Sequence, residues 1–331
     1  MSGIVILGTG SYTPPDKITN EMLAEIIDSD SEWVLSRTGI AERAVAAPEM
    51  RTLDLARNAA TAAMENAGIS ADEIAVVIVA TITNDYITPS ISCLLQRELG
   101  LPEGIIPMDI NCACGGFVYA MKVAHALLAD FPQKSALILG CDMLSRITDY
   151  TDRATCILFG DGAGAAIVRR GERGKFAFDS GARGDSEMIF CRAKYLCNNP
   201  IVRRPEAETF AAGISMNGGE VLRFAERTAS ASVLRVLEKA GLTVENVDCF
   251  VFHQANKRIL DGITKRLGIP PERCATNIET HGNTSAAASA ILLDELTRSG
   301  KIKNDSKIVI SAFGAGMTFA SVCIDNSKLQ V

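Results

Sequence analysis

Three side chains suited to nucleophilic catalysis each stand where an apolar run gives way to a helical pattern. Cys114 follows "IIPMDINCA" and opens "CGGFVYAMKVAHALLAD". His253 closes "VDCFVF" ahead of "QANKRIL", and Asn283 lies in "THGNTSAAASAILLDEL" after the short run "CATNIET", expected to be a strand. A thiol can act as a nucleophile. An imidazole can donate or accept a proton, and a carboxamide offers N–H donors. At a helix start, unpaired N–H groups and the positive dipole end favour thiolate, so Cys114 is expected to have thiolate character. Gly115 and Gly116 leave room for a substrate against the backbone. Thr284 or Ser285 is placed to cap the helix after Asn283, and "FGAG" (Phe313 to Gly316) can add backbone donors. Cys112, at the strand end, reads as a small packing residue.

Metal chemistry fits poorly. Structural zinc sites separate paired cysteines by about two to four residues. Cys112 and Cys114 have one residue between them, "CRAKYLC" has five, and the three histidines form no cluster. His125 lies eleven residues beyond Cys114. That is roughly 16 Å along a helix, too far for a partner, so His125 is a packed or surface residue.

The elements that must position these groups are legible in outline. The runs "GIVILG", "EIAVVIVAT", "KSALILGCD", "AGAAIVRR", "NVDCFVFH" and "SKIVISAFG" are separated by helical patterns. They read as strands covered on both faces, hence an α/β architecture. In such sheets, sites gather outside the carboxyl ends of the strands. The chain also repeats itself: "AMENAGISADEIAVVIVA" (Ala63 to Ala80) matches "VLEKAGLTVENVDCFVFH" (Val236 to His253), and "LLQRELGLP" matches "GITKRLGIP" in the same order. Two such matches indicate duplicated halves, 1–172 and 173–331. The charged, weakly periodic stretch near 176–217 reads as an insertion able to cover a site.

At 331 residues the chain can bury two cores. A net charge of −6 argues against a general nucleic-acid binder. No run approaches the roughly 20 apolar residues that cross a bilayer. "MSGIVILGTG" lacks the features of a signal peptide. Ten irregularly spaced cysteines then suggest reduced thiols and a cytoplasmic protein.

With "SEWVLSRTGIAER", "DINCACGGF", "DYTDRATCILFGDGAGAA", "VFHQANKRI", "HGNTSAAAS" and "AFGAGMTF" in this order, the chain resembles the thiolase superfamily. Within it, the chain is similar to ketoacyl-acyl-carrier-protein synthase III over essentially its whole length. Elongating synthases use Cys-His-His, and thiolases use Cys-His with a second Cys. Chalcone-synthase relatives share Cys-His-Asn but not the "RTGI" and "HQANKRI" segments. The resemblance implies a five-layer αβαβα fold, a homodimer, and decarboxylative condensation of an acyl-CoA primer with a malonyl thioester on acyl carrier protein. It makes Cys114, His253 and Asn283 catalytic and needs no cofactor beyond the substrates.

Further roles follow from the same resemblance. The backbone N–H groups of Cys114 and Ala315 form an oxyanion hole, with alanine where the family usually has glycine. Trp33 and Arg153 sandwich the adenine of CoA, while Arg37 and Asn256 contact its phosphate and pantetheine. Leu222 stands where a phenylalanine is common. Arg223, Lys257, Arg258, Lys265 and Arg266 form a basic patch for the acidic carrier protein, the alternative being a solvated charged face. Arg258 and Lys265, seven apart, share a helix face. Thr88, next to Ile87, takes the base of the acyl tunnel from the opposite subunit, with Phe313 in the same acyl pocket. Members restricted to acetyl primers tend to carry an aromatic ring at the Thr88 position, so threonine implies longer or branched primers unless Met143, Leu144 or Phe190 refills the space. A second reading is a related condensing enzyme or acyltransferase of specialised metabolism. A third is a non-catalytic partner subunit, against which the presence of all three catalytic residue types counts.

Overall fold

The computed structural model describes residues 3–171, 174–192 and 213–325. In chain order the first part carries β1 (Gly3–Tyr12), β2 (Lys17–Thr19), α1 (Asn20–Ala24), α2 (Ser31–Thr38), β3 (Glu42–Ala44), α3 (Thr52–Ala67), β4 (Ile74–Ala80) and α4 (Ile91–Glu98). It continues with β5 (Ile106–Ile110), α5 (Gly116–Leu127), β6 (Ser135–Met143), α6 (Arg153–Cys156) and β7 (Asp161–Gly171). The second part carries β8 (Lys175–Ala182), β9 (Ile189–Phe190), β10 (Ser215–Met216), α7 (Gly218–Ala240) and β11 (Cys249–Phe252). It ends with α8 (Lys257–Leu267), α9 (Ile278–His281), α10 (Ala287–Arg298), β12 (Lys307–Gly314) and β13 (Thr318–Asp325).

The apolar runs form two sheets, ordered β1-β7-β6-β4-β5 and β8-β13-β12-β11. Both are mixed rather than wholly parallel. In the first, β5, β4 and β6 are parallel, and β7 and β1 follow antiparallel. In the second, β11 and β12 are parallel, with β13 and β8 antiparallel. The duplication is therefore visible strand by strand, β8 matching β1, β13 matching β7, β12 matching β6 and β11 matching β4. The counterpart of β5 has shrunk to one parallel bridge between Phe250 and Cys274, so "CATNIET" is not the strand expected. Pro270 and Pro271 remove two backbone donors just upstream, and α9 begins at Ile278 just downstream.

The matched sequence segments fold alike because their turn chemistry is alike. α3 and α7 end at Gly68 (φ 62°) and Gly241 (φ 65°), left-handed positions suited to glycine. A reciprocally capped turn follows each, Ser70 with Glu73 and Thr243 with Asn246, and leads into β4 and β11.

α5 and α10 lie between the two sheets, where Phe117, Met121, Leu292 and Leu293 meet Ile78, Ile138, Ile310 and Val322. α3 and α4 cover the outer face of the first sheet, and α7 and α8 that of the second. The result is the five-layer αβαβα fold. β4 and β6 are buried along their whole lengths, as strands between helical layers must be. α10 rests directly on sheet backbone: a Cβ at Gly140 would stand 2.1 Å from the Ala286 carbonyl oxygen. That close approach sets the depth of Asn283 just upstream.

The stretch read as an insertion from 176 begins inside a sheet strand. β8 pairs with β13 from Lys175 to Ala182. Its charged residues disguised an alternation that buries Ala177 and Asp179. Beyond it β9 pairs with β10, and 193–212 lie outside the described residues.

Candidate active site

The first junction places the thiol. After β5 the chain passes through Ala113 (φ 46°), a left-handed conformation unusual outside glycine, into a single 3-10 turn, Ala113–Gly115, that holds Cys114 ahead of α5. The end of β12 abuts this turn, since a Cβ on Gly314 would come within 2.7 Å of the Cys114 nitrogen. Cys114 is half-buried. Burial pushes its thiol up to about 12; the Ser285 hydroxyl pulls the other way and the Asp142 carboxylate adds to the rise. The expected thiolate is thus overturned, because desolvation outweighs the dipole of a helix that starts two residues later. The Ser285 hydroxyl has no hydrogen-bond partner among the described residues, so its pull on the thiol is weak beside that of burial.

The second junction places the imidazole. His253, 1% exposed, follows β11; its backbone N–H donates to the Ser311 carbonyl at 2.9 Å, and its ring meets Phe313 edge-on at 5.3 Å. Burial pushes its pKa down to about 3, so the ring is neutral at physiological pH. Nδ1 has no partner among the described residues. The fold favours the uncharged ring, so the unfolded chain binds the extra proton first. Stability is therefore undiminished by this group above about pH 6.5 and is lost as pH falls towards 3. A His253→Gln variant should lose less of its urea-midpoint stability than the native chain between pH 6.5 and 4. A larger loss in the variant would contradict the buried neutral ring.

The third junction places the carboxamide. Asn283 is pinned by its backbone, its N–H donating to the Leu158 carbonyl at 2.8 Å and its carbonyl accepting from the Gly160 N–H at 3.0 Å. Its Oδ1 accepts from the Ser285 N–H at 2.9 Å, which leaves the Nδ2 hydrogens for a ligand. The expected cap is not there. Ser285 adopts φ 52°, the helix starts from Ala286 without a side-chain cap, and the Thr284 and Ser285 hydroxyls have no hydrogen-bond partner among the described residues. The Ala286 N–H instead donates to Asp142 Oδ2 at 3.3 Å. Asp142 is itself wholly buried and accepts from Thr81, Ile82 and Thr83.

Cys114, His253, Asn283, Phe313 and Ala315 line one cavity whose walls are otherwise mainly apolar. Ile189 of β9, Met216 of β10 and Leu222 of α7 close one side. Ile189 and Met216 are not legible in the residue order, because two-residue strands far apart in the chain carry no periodic signal. Met143 and Leu144 are buried away from the cavity, and Phe190 does not line it. Thr88 is exposed and off the cavity of a single chain, next to Ile87 at 95% exposure.

At the periphery, Arg153 lies over the Trp33 ring at 5.0 Å and Arg37 at 5.8 Å. The structure brings this set together, with the Arg153 guanidinium over the indole face. Asn256 caps α8 through the Arg258 N–H at 2.9 Å and donates to the Arg37 carbonyl at 3.3 Å, tying α2 to α8. Lys257 pairs with Asp261, and Arg223 approaches Glu220 at 4.0 Å. Arg258, Lys265 and Arg266 are exposed on α8 and enter none of the ion pairs among the described residues. His125 stacks on Phe176 at 4.4 Å, a packing role. Among the described residues no group of three or more His, Cys, Asp or Glu could hold a metal, and no helix is long and apolar enough to cross a membrane.

Duplicated halves that deliver a thiol, an imidazole and a carboxamide to one apolar cavity define a thiolase-fold acyltransferase. The 3-Oxoacyl-[acyl-carrier-protein (ACP)] synthase III family matches residues 108–184, and the family of its C-terminal part matches 237–325. The beta-ketoacyl-[acyl-carrier-protein] synthase III of Clostridium acetobutylicum is 39% identical over 330 residues, covering 99% of this chain and 100% of the relative. The corresponding enzyme of Thermus thermophilus superposes with a TM-score of 0.89 at 37% identity, covering 97% and 98% of the two chains. The priming beta-ketosynthase of the R1128 polyketide pathway superposes at 0.86 with 33% identity, covering 97% and 96%. The chain belongs to the beta-ketoacyl-acyl-carrier-protein synthase III family, whose members are acyl-transferring condensing enzymes.

Proposed function

We propose that the chain starts fatty-acid synthesis by condensing an acyl-CoA primer with malonyl-acyl-carrier protein. The Cys114 sulfur attacks the primer thioester, the C–S bond to CoA breaks, and the thiol proton leaves on the departing sulfur. The thiol waits protonated, as its raised pKa requires. In the second half-reaction the malonyl carboxylate departs as CO2 and its bonding pair forms an enolate. His253 Nε2–H and Asn283 Nδ2–H stabilise the enolate oxygen, and a neutral imidazole keeps that donor over the working pH range. The enolate carbon attacks the acyl-cysteine, the Cys114 and Ala315 N–H groups hold the oxyanion, and collapse releases the 3-oxoacyl thioester and the Cys114 thiolate, which takes a proton from solvent to return the thiol. The observation that carries this reading is Asn283 Oδ1 held by the Ser285 N–H, which turns the amide donor outward.

CoA enters past Trp33, Arg37, Arg153 and Asn256, with Arg153 leaving the indole face to admit the adenine. Arg223, Lys257, Arg258, Lys265 and Arg266 receive the acidic carrier protein. The protein works as a cytoplasmic homodimer without a metal. Intact-protein mass spectrometry with a panel of acyl-CoAs, followed by malonyl-carrier protein, tests the whole sequence: the primer mass should appear and then discharge as product. A primer adduct that malonyl-carrier protein does not discharge would refute condensation. Similarity to a polyketide priming synthase supports a second reading, a specialised pathway. A marked preference for a dedicated carrier protein over the fatty-acid carrier would select it.

Thr88, supplied by the partner chain, sets primer length. An aromatic ring removed from the tunnel base frees room for several methylenes, each worth about 0.8 kcal/mol when buried, so two give roughly tenfold. Native kcat/KM should favour butyryl-, isobutyryl- or octanoyl-CoA over acetyl-CoA by about that factor. Thr88→Phe should return the preference to acetyl. An acetyl preference in both proteins would show the pocket to be closed by other side chains.

A further inference from the structure

His253 and Asn283 must aim two donors at one oxygen, yet they arrive on separate segments, one ending β11 and the other following α9. A chain of side chains outside the cavity joins those segments. Gln254, 1% exposed, donates through Nε2 to the Phe252 carbonyl at 2.8 Å. Its Oε1 accepts from Thr276 Oγ1 at 2.7 Å and from the Asn277 N–H at 3.3 Å. Asn277 occupies the N-cap position of α9, but its side chain does not cap. Its Nδ2 donates instead to Glu295 Oε2 at 2.8 Å. The other oxygen, Glu295 Oε1, lies 2.7 Å from Nε2 of His281, the last residue of α9.

One carboxylate on α10 therefore grips both ends of the single turn that leads into Asn283, while Gln254 ties the same turn to the end of β11 beside His253. We propose that Gln254 and Glu295 are positioning residues that set the distance between the His253 and Asn283 donors, and so act on the malonyl half-reaction and not on self-acylation. α9 has only four residues and cannot hold its own shape. The segment after Cys274 has also lost the strand pairing that places Cys114 in the first half. The side-chain clamp replaces that missing strand. Burial works to raise the Glu295 carboxyl, but hydrogen bonds from His281 and Asn277 and the Arg298 charge hold it below the usual carboxylate range. It therefore remains a charged acceptor for both partners.

This inference rests on the assignment of His253 and Asn283 to condensation, and the test separates the two. Acyl-enzyme formation, measured by stopped mass labelling, is compared with condensation from preformed acyl-enzyme in Glu295→Ala, Glu295→Gln, Asn277→Ala and the reference variant Asn283→Ala. A misplacement near 1 Å costs about 10²-fold. Glu295→Ala should slow condensation at least about tenfold with acylation within about twofold of native. Glu295→Gln should recover most of that loss, since the introduced amide oxygen can accept from His281 while the Asn277 amide flips to accept from the introduced NH2. Asn277→Ala removes half of the clamp and gives an independent reading if Glu295→Ala does not fold. Equal losses in both half-reactions, or none in either, together with a normal split in Asn283→Ala, would overturn the positioning role. Absence of a split in Asn283→Ala itself would instead overturn the assignment beneath it.

Discussion

Asn283→Ala will form acyl-enzyme at close to the native rate and fail to condense it. Removing one preorganised donor from a developing oxyanion costs about 10²–10³ in kcat, and in the proposed reaction Asn283 Nδ2 takes no part in the attack of Cys114 on the primer. The variant also loses the acceptor that holds the Ser285 N–H, so a small fall in melting temperature is expected. Asn283→Asp serves as the control. It keeps an oxygen for Ser285 but replaces the donor with a charge facing the enolate, and it should condense no better than alanine. Acyl mass on the intact protein and release of 3-oxoacyl product are read in the same reaction. If alanine lowers both steps in parallel, Asn283 is a structural residue.

Cys114→Ala will abolish covalent loading, and condensation should fall by at least about 10⁴-fold because the intermediate cannot form. Cys112 cannot substitute. It lies on the other side of the left-handed Ala113, burial raises its thiol too, and only Cys114 is among the cavity residues. Peptide mapping of the native protein after primer loading should find the acyl mass on the peptide bearing Cys114 and attached to that residue. Label that survives in Cys114→Ala would move the nucleophile elsewhere. The high thiol pKa adds a kinetic signature, since alkylation of the free enzyme by iodoacetamide should be slow near neutrality and should accelerate steadily towards high pH.

What was legible in the amino-acid order depended on local physics. Buried strands such as β4 and β6 show as continuous apolar runs because both faces are covered. The duplicated turns at Gly68 and Gly241 show because left-handed backbone and reciprocal caps demand particular residue types within a few positions. The placement of Cys114, His253 and Asn283 at segment ends could be read in the same way. What depended on neighbours across space could not. β8 was hidden because its partner β13 lies more than a hundred residues away, and α9 because its shape comes from Glu295 and Gln254. The thiol at a helix start promised a thiolate, but the tertiary structure half-buries it near Asp142, and desolvation reversed the sign. Residue order determined which groups meet and in which duplicated frame. Their protonation and the direction of the Asn283 amide were decided only by the fold, because dielectric surroundings and hydrogen-bond partners are set by residues distant in sequence.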